Sequence, residues 1–129
     1  MRLASAFWVS ALLRRAALAG ATAVVRRRGD ETAGAIWVVV DRLDGTVDLH
    51  VPAPQSLVDE DAADERRFET VATRVGAGEI DARIVSEARF DPDLWVVEVE
   101  DRAGRSFVEP PPIDPGAPPP PRPEWPPRA

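Results

Sequence analysis

Apolar residues change their spacing several times along this chain, and each change marks an element. At about 100° per residue, Trp8, Val9, Leu12, Leu13 and Ala16 gather on one arc, with Ser10, Arg14 and Arg15 opposite, which predicts a first helix. Phe7 and Leu18 fall near the arginine side, and Gly20 supplies the stop, because glycine takes the left-handed conformation cheaply after a last turn. Beyond it the spacing shortens. "ATAVVRRR" (Ala21 to Arg28) reads as a strand, "GDETAG" as a turn-rich connection, and "AIWVVVDR" as the most apolar strand. The unbroken run Ile36 to Val40 suits a central strand covered on at least one face. Asp44-Gly45 is a hairpin signal, and "TVDLHVP" returns with Val47, Leu49 and Val51 facing a core and Asp48 and His50 facing solvent.

Further along, "SLVDEDAADERR" reads as a charged, solvated connection. Its acids do not form a calcium loop: a central glycine is missing, and Thr70 stands twelfth from Asp59, where a glutamate is needed. "RFETVATRV" predicts another strand, and "IDARIVSEARF" a second helix with Ile80, Ile84 and Ala88 on one face, widened by Val85. Pro92 ends that helix. "LWVVEVED" then predicts a strand with Trp95, Val97 and Val99 inward and Glu98 and Glu100 outward, and "RSFVEP" a short last strand, Arg105 to Val108.

Eleven of the 14 prolines lie between Pro110 and Pro127. Proline lacks an amide donor and fixes φ, so residues 110–129 read as a disordered, polyproline-like tail outside a single domain of residues 1–109. A proline-recognising groove would contact such a tail through Arg122 and Trp125, but a solubilising end is the favoured reading.

The apolar N-terminal stretch invites comparison with an export signal or a membrane span. Arg14 and Arg15 interrupt it where a signal is normally neutral, and a span needs about 20 apolar residues without such a pair near its middle. The expectation is therefore a domain helix and no membrane.

Composition narrows the chemistry. The 129 residues contain no cysteine, which removes disulfides, thiolate zinc sites and cysteine nucleophiles, and no lysine, which removes Schiff bases and P-loops. The net charge of -6 is unevenly spread: the segment before Asp30 carries +6, the remainder -12. Arg14 and Arg15 on the first helix and Arg26, Arg27 and Arg28 at the end of the first strand are thus the candidate contact surface for an anionic partner. An acidic protein, or the chain's own run Asp59 to Glu65, fits better than nucleic acid, given the acidic net charge and few interleaved aromatics.

An enzymatic alternative rests on "DPDLWVVEVE", where Asp93, Glu98 and Glu100 would hold magnesium for a nuclease or hydrolase. The lysine of such a pattern is missing, and alternating glutamates also suit the solvent face of a strand. His50 is the only histidine and no serine sits in a nucleophile-elbow pattern, so a catalytic triad has no sequence support.

Three blocks, "FWVSALLRR", "RRGD" with "AGAIWVVVDRLDGTVDLHVPAPQ", and "RFDPDLWVVEVEDRAGR", together resemble the alphaproteobacterial family called domain of unknown function 1491, from Met1 to about Val108. The resemblance implies a small bacterial cytoplasmic protein and brings no substrate, cofactor or catalytic residue. The expectation is an α+β, two-layer domain: an antiparallel sheet of four to six strands, both helices packed on one face, in the order αβββ(β)αβ(β). Its expected role is a noncatalytic interaction or accessory module without cofactor or metal, monomeric or weakly homodimeric.

Overall fold

The computed structural model describes residues 2–54 and 65–116. Their elements are α1 (Ser5–Leu18), β1 (Thr22–Arg27), β2 (Ile36–Asp41), β3 (Thr46–Pro52), β4 (Phe68–Gly76), α2 (Ala77–Phe90) and β5 (Trp95–Glu100). The domain is α+β, with two helices and one five-stranded sheet in the order β1-β5-β2-β3-β4. Neighbouring strands are antiparallel except β2 and β5, which run parallel from Ile36↔Trp95 to Asp41↔Glu100. β5, last in sequence, is thereby inserted between the first two strands. The acidic run from Asp59 lies outside the described residues except for Glu65, as do Arg122 and Trp125.

The helix α1 has no side-chain N-cap and no acid in its first turn. Tertiary carbonyls serve instead: the Ser5 and Ala6 amides donate to Thr32 O (3.1 Å) and Glu31 O (2.9 Å). Trp8, Val9, Leu12 and Ala16 are buried while Phe7 and Leu18 are exposed, the segregation that the helical arc predicts. Gly20 ends the helix with φ +80°.

Layering differs from the two-layer expectation. Trp8, Val9 and Leu12 pack with Ile36, Val38, Val40, Trp95, Val97 and Val99. Ile80 and Ile84 of α2 pack with Trp37, Val39, Val47, Leu49 and Val96. Successive side chains of a strand point to opposite faces, so each helix covers its own face and the sheet is the middle of three layers. An apolar run such as Ile36 to Val40 needs cover on both sides, and one helix cannot provide it. Val85 is 55% exposed and does not widen the α2 face.

The same two-sided cover corrects two strand assignments. Asp48 and His50 do not face solvent; both are buried on the α1 side of the sheet. Asp48 is held there by Arg42, whose Nε and Nη2 donate to it at 2.7 to 3.0 Å, and by the Arg74 amide at 2.9 Å. The His50 Nδ1 pairs with Thr70 Oγ1 at 3.0 Å, and its buried Nε2 has no partner. Glu98 is half-buried under α2, facing Arg26, while Glu100 is exposed.

Arg105 to Val108 forms no strand. Arg105 is tied to the Asp101 carboxylate through its amide (2.7 Å), Nε and Nη2, Phe107 takes φ +62°, and Val108 is buried in the α1-side core. Pairing occurs further on, inside the proline-rich segment. The Ile113 amide donates to Phe68 O (2.8 Å) and its carbonyl accepts from Thr70 N (2.7 Å), a single parallel bridge to the β4 edge. Ile113 follows three prolines and is the first residue after them with an amide to give.

The loop before β2 clasps the start of β5. A Cβ on Gly29 or Gly34 would overlap the Asp93 carbonyl oxygen and come within 2.6 to 2.9 Å of Trp95 Cδ1. The approach lets Trp95 Nε1 donate to Asp30 O at 2.7 Å and the Asp30 amide donate to Asp93 O at 3.0 Å. Because the obstructing atom is backbone, Gly34→Ala should destabilise the fold by about 3 kcal/mol, the upper part of the overpacking range, seen as a lowered urea midpoint. An unchanged midpoint would show that the clasp gives way freely.

Burial lowers the His50 pKa from 6.5, against the opposing pull of Asp48 and Asp114. The unfolded chain then binds more protons than the folded one below about pH 6.5, so this contribution is full above that pH and is lost as pH falls. The urea midpoint should therefore drop between pH 7.5 and 5.5, and His50→Gln should flatten that part of the profile. An equal drop in both proteins would assign the effect to other groups.

Candidate functional site

The five arginines expected to form one basic surface are dispersed, and four of them have internal partners. Arg15 donates through Nε (3.0 Å) and Nη2 (2.8 Å) to Phe107 O. Arg26 pairs with Asp81 of α2 and approaches Glu98 at 3.7 Å. Arg27 donates to Pro92 O (3.1 Å) and Leu94 O (2.7 Å). Arg28 pairs with Glu31 at 3.0 Å and lies 5.1 Å over the Trp95 ring. Arg14 alone is exposed beside Phe7, Ser10 and Ala11 without an ion pair among the described residues. Arg26 sits in a bulge of β1, between the pairs Val25↔Val97 and Arg27↔Val96, and turns toward Asp81 of α2.

The acids proposed for metal chemistry are also kept apart. Asp93 precedes β5, whereas Glu98 and Glu100 lie toward its far end, roughly 15 Å or more along an extended chain. Among the described residues no group of three His, Cys, Asp or Glu side chains is placed to share a metal ion. Glu98 lines a 320 Å³ cleft with Asp41, Asp81 and Arg26. Its pKa is raised mainly by burial, with Arg26 opposing and Asp41 adding to the rise.

A different set of arginines shares a cavity. At the end of the sheet where β2 and β4 begin and β3 finishes, a 280 Å³ pocket is lined by Arg2, Arg66 and Arg67 together with Ala33, Ala35, Ile36, Pro52, Ala53 and Phe68. No acid lines it. A second cavity of 230 Å³ adjoins it through Arg2 and Arg66 and is walled by Leu3, Trp8, Glu65, Glu109 and Pro110. Trp8 and Phe68, stacked with ring centroids 5.0 Å apart, supply apolar walls to the two cavities.

The fold fixes these arginines through a short relay. Ser5 is fully buried and donates its hydroxyl to Gly34 O at 2.7 Å. Arg66 Nη2 donates to Ser5 Oγ (2.9 Å) and to Leu3 O (3.0 Å). Arg67 is held through its carbonyl, which accepts from the Ala53 amide at 2.9 Å. Burial, then the positive charge of Arg2, lowers the Arg66 pKa from its ordinary value. The Nε–H groups of Arg66 and Arg67 are both buried without a hydrogen-bond partner. A buried donor left unpaired costs about 1–3 kcal/mol, and such atoms are few in folded proteins. Both Nε–H groups belong to arginines that line one cavity with no acid among its described residues, so these guanidiniums are incompletely paired inside the domain. The N-terminus of α1 adds little, since its first amides already serve Thr32 and Glu31.

Sequence reasoning passed over Arg66 and Arg67 because they close an acidic run and read as part of a solvated connection. The usable signal was their place between that run and the strand "FETVATRV", with Pro52 and Pro54 ending the preceding strand. Charged residues at a strand boundary are carried by the sheet, whereas those inside a connection are not.

These features define a class: a small α+β domain, its mixed sheet sandwiched between single helices, with an arginine-lined pocket at one sheet end. The chain belongs to the family described as protein of unknown function (DUF1491), which matches residues 3–109. The crystal structure of a DUF1491 family protein from Caulobacter crescentus CB15 is similar with TM-score 0.71 and 41% identity, covering 88% of this chain and 98% of that one. The solution structure of protein Atu0922 from A. tumefaciens gives TM-score 0.72 and 46% identity, covering 84% and 93%. No curated protein matches the chain. No helix among the described residues is long and apolar enough to cross a membrane.

Proposed function

We propose that this protein is a noncatalytic cytoplasmic interaction module that holds an acidic protein partner through the pocket of Arg2, Arg66 and Arg67. The observation that supports this reading most strongly is the gathering of three arginines around one cavity with no acid among its described lining residues, two of them with a buried Nε–H that has no partner. Guanidinium groups meet carboxylates through parallel N–H donors, so arginines in this setting favour carboxylate-bearing partners. Geometry also weighs against catalysis. The buried histidine is engaged with Thr70, the half-buried Glu98 faces Arg26, and neither lies in the arginine pocket.

The reading shifts the expected contact surface from Arg14, Arg15 and Arg26 to Arg28 onto residues the linear charge pattern does not single out. A fluorescent glutamate-rich peptide titrated into the full chain tests it. Binding should weaken at least tenfold in Arg66→Gln/Arg67→Gln and fall as salt rises from 50 to 300 mM, with Arg14→Gln unchanged. Loss of binding in Arg14→Gln with the double variant unaffected would return the contact surface to the first helix.

A further inference from the structure

The pocket's lining says more about its occupant than charge alone. Besides the three arginines its described lining is Ala33, Ala35, Ile36, Pro52, Ala53 and Phe68, so the described polar side chains of the wall are all cationic donors and favour an anionic acceptor. At 280 Å³ it lies at or below the lower end of the range for drug-sized ligands. The occupant is therefore short, apolar and ends in an anion.

Desolvation decides which anion. The Arg66 Nη2 serves Leu3 O and Ser5 Oγ and the Nε–H groups of Arg66 and Arg67 are buried, so an occupant meets the remaining edges of these guanidiniums. Two oxygens of a planar carboxylate match donors of this kind side-on. A phosphate brings a third oxygen and up to twice the charge into a pocket where burial already disfavours charge on Arg66. An internal glutamate or aspartate is also a poor fit. It would press polar backbone on both sides of itself against alanine, isoleucine and phenylalanine, where unpaired amides are costly. A chain end brings backbone from one side only, and delivers a carboxylate and one side chain together.

Resting on the reading of this pocket as a site for an acidic protein partner, we propose that it captures the C-terminal residue of that partner. The main-chain carboxylate lies against the Arg66 and Arg67 guanidinium groups, and a small apolar side chain lies against Ala35, Ala53 and Phe68. This is recognition of a peptide terminus by its free carboxylate, a known mode of peptide binding. Specificity follows from size and charge: the alanines leave room for alanine or valine at the terminus, and an amidated end, which has lost the negative charge, answers the arginines more weakly.

The test uses the full chain and one acidic hexapeptide ending in alanine-valine, prepared with a free C-terminal carboxylate and as the amide, followed by heteronuclear NMR titration. The free acid should bind at least tenfold more tightly. That preference should vanish in Arg67→Gln and in Ala53→Leu, which fills the pocket without changing its charge, while Arg14→Gln binds as the parent does. Amide spectra of each variant verify that it is folded. Equal binding of both peptides, lost in Arg66→Gln/Arg67→Gln, would overturn the terminal-carboxylate proposal and leave the acidic-partner reading standing. Binding of neither peptide by the folded chain would overturn both. Displacement of the free-acid peptide by submillimolar inorganic phosphate would instead make the pocket a small-oxyanion site and overturn the proposal.

Discussion

The close approach of the Gly29–Gly34 loop to the start of β5 is the constraint on which the rest of the molecule depends. Parallel strands cannot be joined by a tight turn, so β5 reaches its place beside β2 only after β3, β4 and α2 have been laid down. Glycine at positions 29 and 34 lets the Asp93 carbonyl and the Trp95 ring come against the loop backbone. Trp95, fully buried on the α1 side, then anchors that side of the core. The same loop supplies Glu31 O and Thr32 O to the first amides of α1, and Gly34 O to the Ser5 hydroxyl. One contact therefore sets the strand order, the entry of the first helix and the position of Ser5.

The candidate site inherits this geometry. Ser5 accepts from Arg66, so a carbonyl of the clasping loop is two hydrogen bonds away from a guanidinium that faces the pocket. Pre-organisation of this kind limits the side-chain ordering needed when a partner docks. The opposite end of the sheet is closed by Arg42 with Asp48 and by Arg105 with Asp101, where the charges are matched inside the domain. Only at the Arg66 end are buried donors of described residues left without acceptors beside a cavity. The contrast is what singles out Arg66 and Arg67 as the proposed partner contacts.

Much of the fold is legible in the chain. Helical spacing of Trp8, Val9, Leu12 and Ala16, the glycine stop at Gly20, the break at Pro92 and the alternation of Trp95, Val97 and Val99 each act locally, and each element forms where they place it. Layering depends on long-range pairing. The run Ile36 to Val40 carries the two-sided burial, yet only the parallel pairing with β5 reveals that α2 must cross the face opposite α1. Asp48 and His50 deceive for a related reason: alternation distinguishes two faces without saying that the polar one is wet, and Arg42 makes burial of Asp48 tolerable. The site is less legible still. Arg66 and Arg67 acquire meaning from Ser5, Leu3 and Ala53, which are remote in sequence and supply neither a motif nor a spacing.

The central proposal is that the Arg66 and Arg67 guanidiniums take an acceptor oxygen from a partner, and their Nε–H groups report on it. Their ¹⁵N–¹H resonances in the full chain, recorded without and with the acidic free-acid peptide, test it most directly. The account predicts that both protons shift downfield and exchange more slowly with water when the peptide is added, while the Arg15 and Arg27 Nε–H signals stay in place. Unmoved Arg66 and Arg67 signals under conditions where the peptide is bound would contradict it.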